Sequence, residues 1–234
     1  MTRVAGVDGC AGGWALVTAT AAGDRLVGLR LSRVIELAAV VDRTRTGELA
    51  ALAIDMPIGL LDVHPRTADV EARKRLGPRR SSVFPTPLRT TLDAADYPEA
   101  CERSRAMCGK ALSKQAWNLM PKIRELDRIV EATDQPRVAE AHPECAFLRL
   151  HDDQPLPHPK ATPQGRELRV RLLTDSGRFD QDELAMILAS GNAPLIDTLD
   201  ALALTVTARH ITLGTERRLG DQADGFGRRA EIVF

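Results

Sequence analysis

The sequence predicts an α/β fold, a mixed sheet flanked by helices, on three observations. Three β-type runs follow one another before the first helical pattern, the apolar run "LAALAI" (Leu49 to Ile54) reads as a strand buried on both faces, and helical and strand signals alternate afterwards. The opening run "RVAGVD" and the run "GWALVTAT" flank the turn residues Gly9 to Gly13, as in a hairpin, and "DRLVGLRL" supplies a third strand after Ala22 and Gly23. Ser32 is expected to cap a helix over Arg33 to Val41, where Val34, Leu37, Ala38 and Val41 recur at helical spacing. The strand Leu49 to Asp55 ends in an acid and is broken by Pro57 and Gly59.

Residues 62–112 change character. Prolines at 65, 78, 85, 87 and 98 and the basic stretch "ARKRLGPRR" mark an insertion over one edge of the sheet. A long helix is expected from Ser113 to Thr133, kinked or restarted at Pro121, followed by a strand within "PRVAEAHPE" and a polar, proline-rich loop from Asp152 to Pro163. Helical patterns resume at Glu167 to Leu173 and Gln181 to Leu188, Pro194 opens a helix carrying Leu195 to His210, and the terminal "AEIVF" is a candidate edge strand. The 234 residues are read as one domain with an insertion.

Composition excludes several function classes. Thirty-two Lys and Arg against thirty-two Asp and Glu give a formal charge of +0, so a nucleic acid has to be held by a local patch, and an anionic membrane is not an expected partner. Aromatics at 3% leave few rings for stacking bases. No apolar run approaches the roughly 20 residues of a membrane span, and the N-terminus has no signal-peptide core, so a cytoplasmic protein is expected. Cys10, Cys101, Cys108 and Cys145 form no C-x-x-C pair, which argues against a zinc ribbon or a dithiol redox site, and no G-x-S-x-G elbow supports covalent hydrolysis.

The acids carry the main functional signal. Ligands of open α/β sheets collect beyond the carboxyl ends of the strands, where Asp8, Asp55 and the pair Glu140 and Glu144 fall. In "IDTLDALAL", Asp197 and Asp200 are spaced i, i+3 and share one helical face. Crowded carboxylates repel one another unless a hard divalent cation neutralises them, so the set reads as a candidate Mg2+ or Mn2+ site. Each acid alone is better explained as a turn former, cap or solvated helix residue; the order in which they occur favours a site.

From His64 to Arg89 seven basic residues face two acidic ones, a local excess of five. Arg66, Arg73, Arg80, Ser81 and Ser82 are candidate contacts for a nucleic acid or nucleotide phosphate, whereas Arg75 is expected to pair with Glu71 at i, i+4. Lys114 and Gln115 open the long helix, where free backbone N–H groups favour anions, and Lys160 in the proline-rich loop and Arg169 in the helix after it are further candidate phosphate contacts. His142, beside this group, reads either as a proton relay or as a hydrogen-bonded buried imidazole.

The segments "GVDGCAGGW", "AIDMPIGL", "RTADVEARKRLGPRRSSVFPTPLR", "LSKQAWNLMPKIRELD", "EAHPE" and "DALAL" occur in that order between Val4 and Ala208, and the series resembles domain-of-unknown-function family 429, DUF429. The resemblance implies an RNase-H-like fold and a nuclease, with Asp8 on the first strand, Asp55 at the end of the fourth and Asp200 on the last helix as metal ligands. "DTLDALAL" is also similar to the end of Holliday-junction resolvases, which favours Asp200 over Asp197; Glu140 and Glu144 carry equal weight. The expected activity is metal-dependent hydrolysis of phosphodiesters. Two alternatives stand beside it: a phosphotransferase or ATPase of the actin and sugar-kinase type, with "GVDGCAGGW" as its phosphate loop, and a non-catalytic RNase-H-like binding module.

Overall fold

The computed structural model describes residues 2–63 and 65–234. A hairpin of β1 (Thr2–Cys10) and β2 (Gly13–Ala22) continues into β3 (Arg25–Val34), all antiparallel. β4 (Ala51–Ile54) lies parallel to β1 and β5 (Val138–Glu140) parallel to β4, giving the order β3-β2-β1-β4-β5. The helices are α1 (Ala38–Arg45), α2 (Thr67–Leu76), α3 (Tyr97–Cys108), α4 (Lys114–Ile129), α5 (Pro143–Leu150), α6 (Pro163–Asp175), α7 (Gln181–Ala189) and α8 (Leu195–Leu213). A mixed five-stranded sheet in this order, flanked by helices, is an RNase-H-like α/β fold.

Alternation along the strands sorts the core into two layers. Ala5, Val7, Leu52 and Ile54 cluster with Val40, Val41, Met120 and Ile123 of α1 and α4. Val4, Ala51 and Ala53 cluster with Leu199, Leu202 and Val206 of α8. Leu52 and Ile54 are fully buried, each contributing roughly 1.5–3 kcal/mol by leaving water. α8 crosses β1 at Gly6, where a Cβ would collide with the backbone of Ala201 and Thr205. A glycine here is what lets helix and strand approach so closely.

Several boundaries differ from the sequence reading. Ser32 is a strand residue, because the β2–β3 ladder runs on to the Trp14–Val34 pair; α1 starts at Ala38 without a side-chain cap. α4 passes through Pro121 without restarting and stops at Ile129. Residues 62–112 hold α2, α3 and two 3-10 turns, Gly77–Ser82 and Arg89–Thr91. The chain's end is not an edge of the main sheet along its length: β7 (Arg229–Val233) pairs with β6 (Arg218–Ala223), a strand the sequence reading missed, in a separate two-stranded sheet that touches the main sheet through an Ala141–Val233 bridge. α2 packs on that hairpin through Ala68, Ala72 and Leu76 against Leu219, Ile232 and Phe234. Among the described residues, no helix is long and apolar enough to cross a membrane.

Candidate active site

Parallel pairing of β1 with β4 puts Asp8 and Asp55 side by side. Val7 pairs with Ile54, and the Asp55 N–H donates to the Val7 carbonyl at 2.9 Å. By strand parity Asp8 shares the face of Val4 and Gly6, and Asp55 that of Ala51 and Ala53, so both point toward α8, which supplies Asp200 from the turn that meets Gly6. Asp8 and Asp55 lie within hydrogen-bond reach of each other. Glu144 joins them from the first turn of α5, where His142 caps the helix by accepting the Glu144 N–H at Nδ1, 3.2 Å away. The His142 Nε2 lies 3.4 Å from the Ser82 carbonyl, which fits a neutral imidazole with its proton on Nε2.

Two cations stand among these acids. The Lys160 ammonium donates to Asp200 Oδ2, with Asp55 and Asp8 also close, and the buried Arg169 donates to Glu144 Oε1. Four carboxylates against two cations leave the cluster a formal excess of two negative charges. Glu144 Oε2 and Asp200 Oδ1 are buried without a hydrogen-bond partner among the described residues. Burial, then Asp200 and Asp55, push the Asp8 carboxyl well above the usual carboxylate range against the opposing Lys160. Burial raises Asp200 to about 6, again opposed by Lys160. Burial works against the charged Lys160, but Asp200, Asp55 and Asp8 outweigh it and hold the ammonium protonated. Among the described residues, no three His, Cys, Asp or Glu side chains form a ready-made metal-ligand group.

A cavity of about 200 Å³ opens over Asp8, Asp55, Glu144 and Lys160, with Ser82, Phe84, Gln115, Leu119 and His142 on its walls. Asp197 sits a turn earlier on α8, half-buried, its carboxyl raised by burial and lowered by Lys160 and Lys122.

Other expected site residues are placed elsewhere. Glu140 pairs with Ile54 across the β4–β5 ladder and so shares that residue's face, away from α8. There it accepts from Arg66 and from the Ile58 N–H at 2.7 Å. Arg66 is not a surface phosphate contact: it is 2% exposed, with its Nε 3.0 Å from Asp69 Oδ1. Burial disfavours its charge, but Glu140 and Asp69 outweigh that and raise its pKa. Arg169 is 1% exposed and is spent on Glu144 and the Gly165 carbonyl, so it too faces inward. Arg73 donates to the Val83 carbonyl at 2.7 Å, and Lys114 lies 4.3 Å over the Tyr97 ring. Arg75 stacks on Phe234, while Glu71 accepts the Gly220 N–H instead of pairing with it. Of the seven basic residues of this segment Arg66 alone is buried and Lys74, Arg75 and Arg80 are exposed; Ser81 is exposed too, and the Ser82 hydroxyl donates to the Arg79 carbonyl at 2.8 Å.

Sequence reasoning missed Leu119 and Lys122. With Gln115 they form an i, i+4, i+7 stripe on α4, the signal that could have found them. Lys122 donates to the Gly13 carbonyl, lies 4.2 Å over the Trp14 ring and packs on Gly9 beside Asp8. Burial lowers its pKa, opposed by Cys10, Glu125 and Asp8.

Comparison with known proteins finds no curated protein and no solved structure that matches this chain. The profile of a family described as a protein of unknown function, DUF429, matches residues 6–224, which takes in every side chain of the cavity and all of the main sheet but the first residues of β1. The chain belongs to the DUF429 family.

Proposed function

We propose that this protein is a phosphodiesterase that uses a divalent cation, Mg2+ or Mn2+, to hydrolyse nucleic acid or nucleotide phosphates. The observation that carries the reading is the crowding of carboxylates at the sheet's carboxyl edge: a formal excess of two negative charges together with two buried carboxylate oxygens that have no partner among the described residues. Such groups are costly in a protein interior unless a ligand satisfies them. An all-oxygen donor set of carboxylates suits a hard cation, and Asp8, Asp55 and Asp200 would hold it, with Glu144 beside them.

A bound ion of this kind supplies a water of lowered pKa and polarises a phosphoryl oxygen. The chain's own residues do the rest. Asp8 and Asp55 stand side by side where β1 and β4 leave the sheet, and burial together with Asp200 and Asp55 holds the Asp8 carboxyl above the usual carboxylate range. Phe84 and Leu119 offer apolar wall for a sugar or base, and Gln115 offers an amide to a polar edge. Arg80, exposed at the end of the segment that carries Ser82, supplies charge for a phosphate approaching the mouth. The cavity volume of about 200 Å³ is smaller than a whole nucleotide unit, so it would take a phosphate and part of its sugar, with the rest at the mouth.

The test is a Mn2+ titration followed by thermal unfolding, paired with cleavage of a labelled single-stranded oligonucleotide. Wild type gains stability with millimolar Mn2+, by about 2.7 kcal/mol at a hundred times its Kd, and cleaves. Asp8→Asn and Asp55→Asn fold but lose both responses. Neither cleavage nor stabilisation in the wild-type protein would overturn the reading.

A further inference from the structure

The loop between α5 and α6 carries Lys160 into the carboxylate cluster on a stiff backbone. Pro155, Pro157 and Pro159 restrict it, Leu156 is buried at 1% exposure, and the Arg169 guanidinium donates to the carbonyl of His158 at 3.3 Å. Gly165 lets α6 sit directly on the Pro159 carbonyl, where a Cβ would collide. The backbone is thus fixed, but the lysine's own side chain is not: it is 40% exposed, while its partner Asp200 is 1% exposed. Its four-carbon stem reaches in from solvent to a buried acid and can leave by the same route.

The ammonium satisfies only part of what it touches. Asp200 Oδ2 is paired, whereas Asp200 Oδ1 and Glu144 Oε2, both buried, have no partner among the described residues. One positive charge sits where a formal excess of two negative charges remains.

Resting on the metal-dependent reading above, we propose that the Lys160 ammonium and a divalent cation are alternative occupants of this cluster, so that cation binding displaces Lys160 into the cavity mouth. The lysine is a tethered counter-ion that keeps the acids paired in the cation-free protein and sets a threshold cation concentration. Once displaced, its charge faces the space above Asp8 and Asp55, where a phosphate would arrive. Lys160 is in this sense a positioning residue, acting through the acids it releases.

Mn2+ affinity, read by calorimetry and by loss of the free-ion electron paramagnetic resonance signal, separates the possibilities in wild type, Lys160→Met, Lys160→Gln and Lys160→Arg. Both neutral variants bind Mn2+ at least about ten-fold more tightly than wild type, because no competitor has to leave first, and Lys160→Arg does not. Wild type provides an independent readout: labelling of Lys160 by an amine-reactive acetylating reagent, followed by mass spectrometry, rises at least about five-fold when Mn2+ is added. Equal affinity in wild type and the neutral variants, or weaker binding in the variants, overturns the competition while leaving the metal reading intact. Absence of Mn2+ binding in every form overturns both.

Discussion

Two groups of buried acids meet at the carboxyl edge of the sheet, back to back, and they are built on opposite principles. On the α4 side Glu140 and Asp69 enclose Arg66. All four carboxylate oxygens accept hydrogen bonds, from the guanidinium, the Ile58 N–H and, at 3.0 Å, the Thr86 N–H. On the α8 side Asp8, Asp55, Asp200 and Glu144 outnumber their cations and leave buried oxygens unpaired. A saturated buried network holds loops in place; an unsaturated one is strained by its own charge and has capacity for a ligand. Satisfaction of hydrogen bonds, not acidity or position, is what separates them.

The comparison breaks most visibly at Arg66. Arg66→Met leaves Glu140 and Asp69 buried and unpaired and should destabilise the fold by about 4 kcal/mol in denaturant melts; a loss under about 1 kcal/mol would show that this side is no more saturated than the other. On the α8 side pH gives the next largest effect. Asp200, at about 6 in the folded protein against an ordinary 3.8, contributes stability below its unfolded value that is lost as pH climbs through the folded one. Relative to Asp200→Asn, cation-free wild type should therefore lose up to about 3 kcal/mol between pH 4 and pH 7. Parallel stability curves for the two proteins would remove Asp200 from the strained set.

Gly6→Ala sharpens the comparison by moving one side only. Overpacking at the β1–α8 crossing should cost about 2 kcal/mol and weaken Mn2+-induced stabilisation, while the environment around Arg66 stays intact by amide hydrogen exchange. Full retention of the Mn2+ response would uncouple helix position from the cluster. The smallest expected change is at Arg80→Ala, within about 0.5 kcal/mol in stability, with weaker oligonucleotide binding and unchanged Mn2+ affinity. Unaltered oligonucleotide affinity would take the exposed arginine out of the proposed site.

Much of this arrangement was legible because a strand that is apolar to its last residue and is then followed by an acid announces both its burial and its exit; Asp55 carries that mark, and Asp8 closes the apolar run of β1 two residues before the strand ends. Asp200 was legible from its place on a helix whose other side is apolar. Glu140 was not, because β5 is only three residues long and its facing is set by pairing with Ile54, a tertiary fact. Glu144 lay beyond a proline that starts a helix, so even spacing from Glu140 carried no information about a shared face. The arginines misled for a related reason. A run of positive charge does not say which members find acids inside, and Arg66, Arg73 and Arg89 all did, or found a carbonyl. Lys122 was hidden because its stripe on α4 crosses from the core to the cavity wall.

The bare hydrogen of Gly6 touches α8 at Ala201 and Thr205, and Asp200 immediately precedes Ala201. A helix that rocks does so about its tightest contact, so this contact is a fulcrum and Asp200 sits almost on it. Thermal swinging of the nineteen-residue rod is expressed at its tips, while the one carboxylate that must stay in step with the strands has nearly no lever arm.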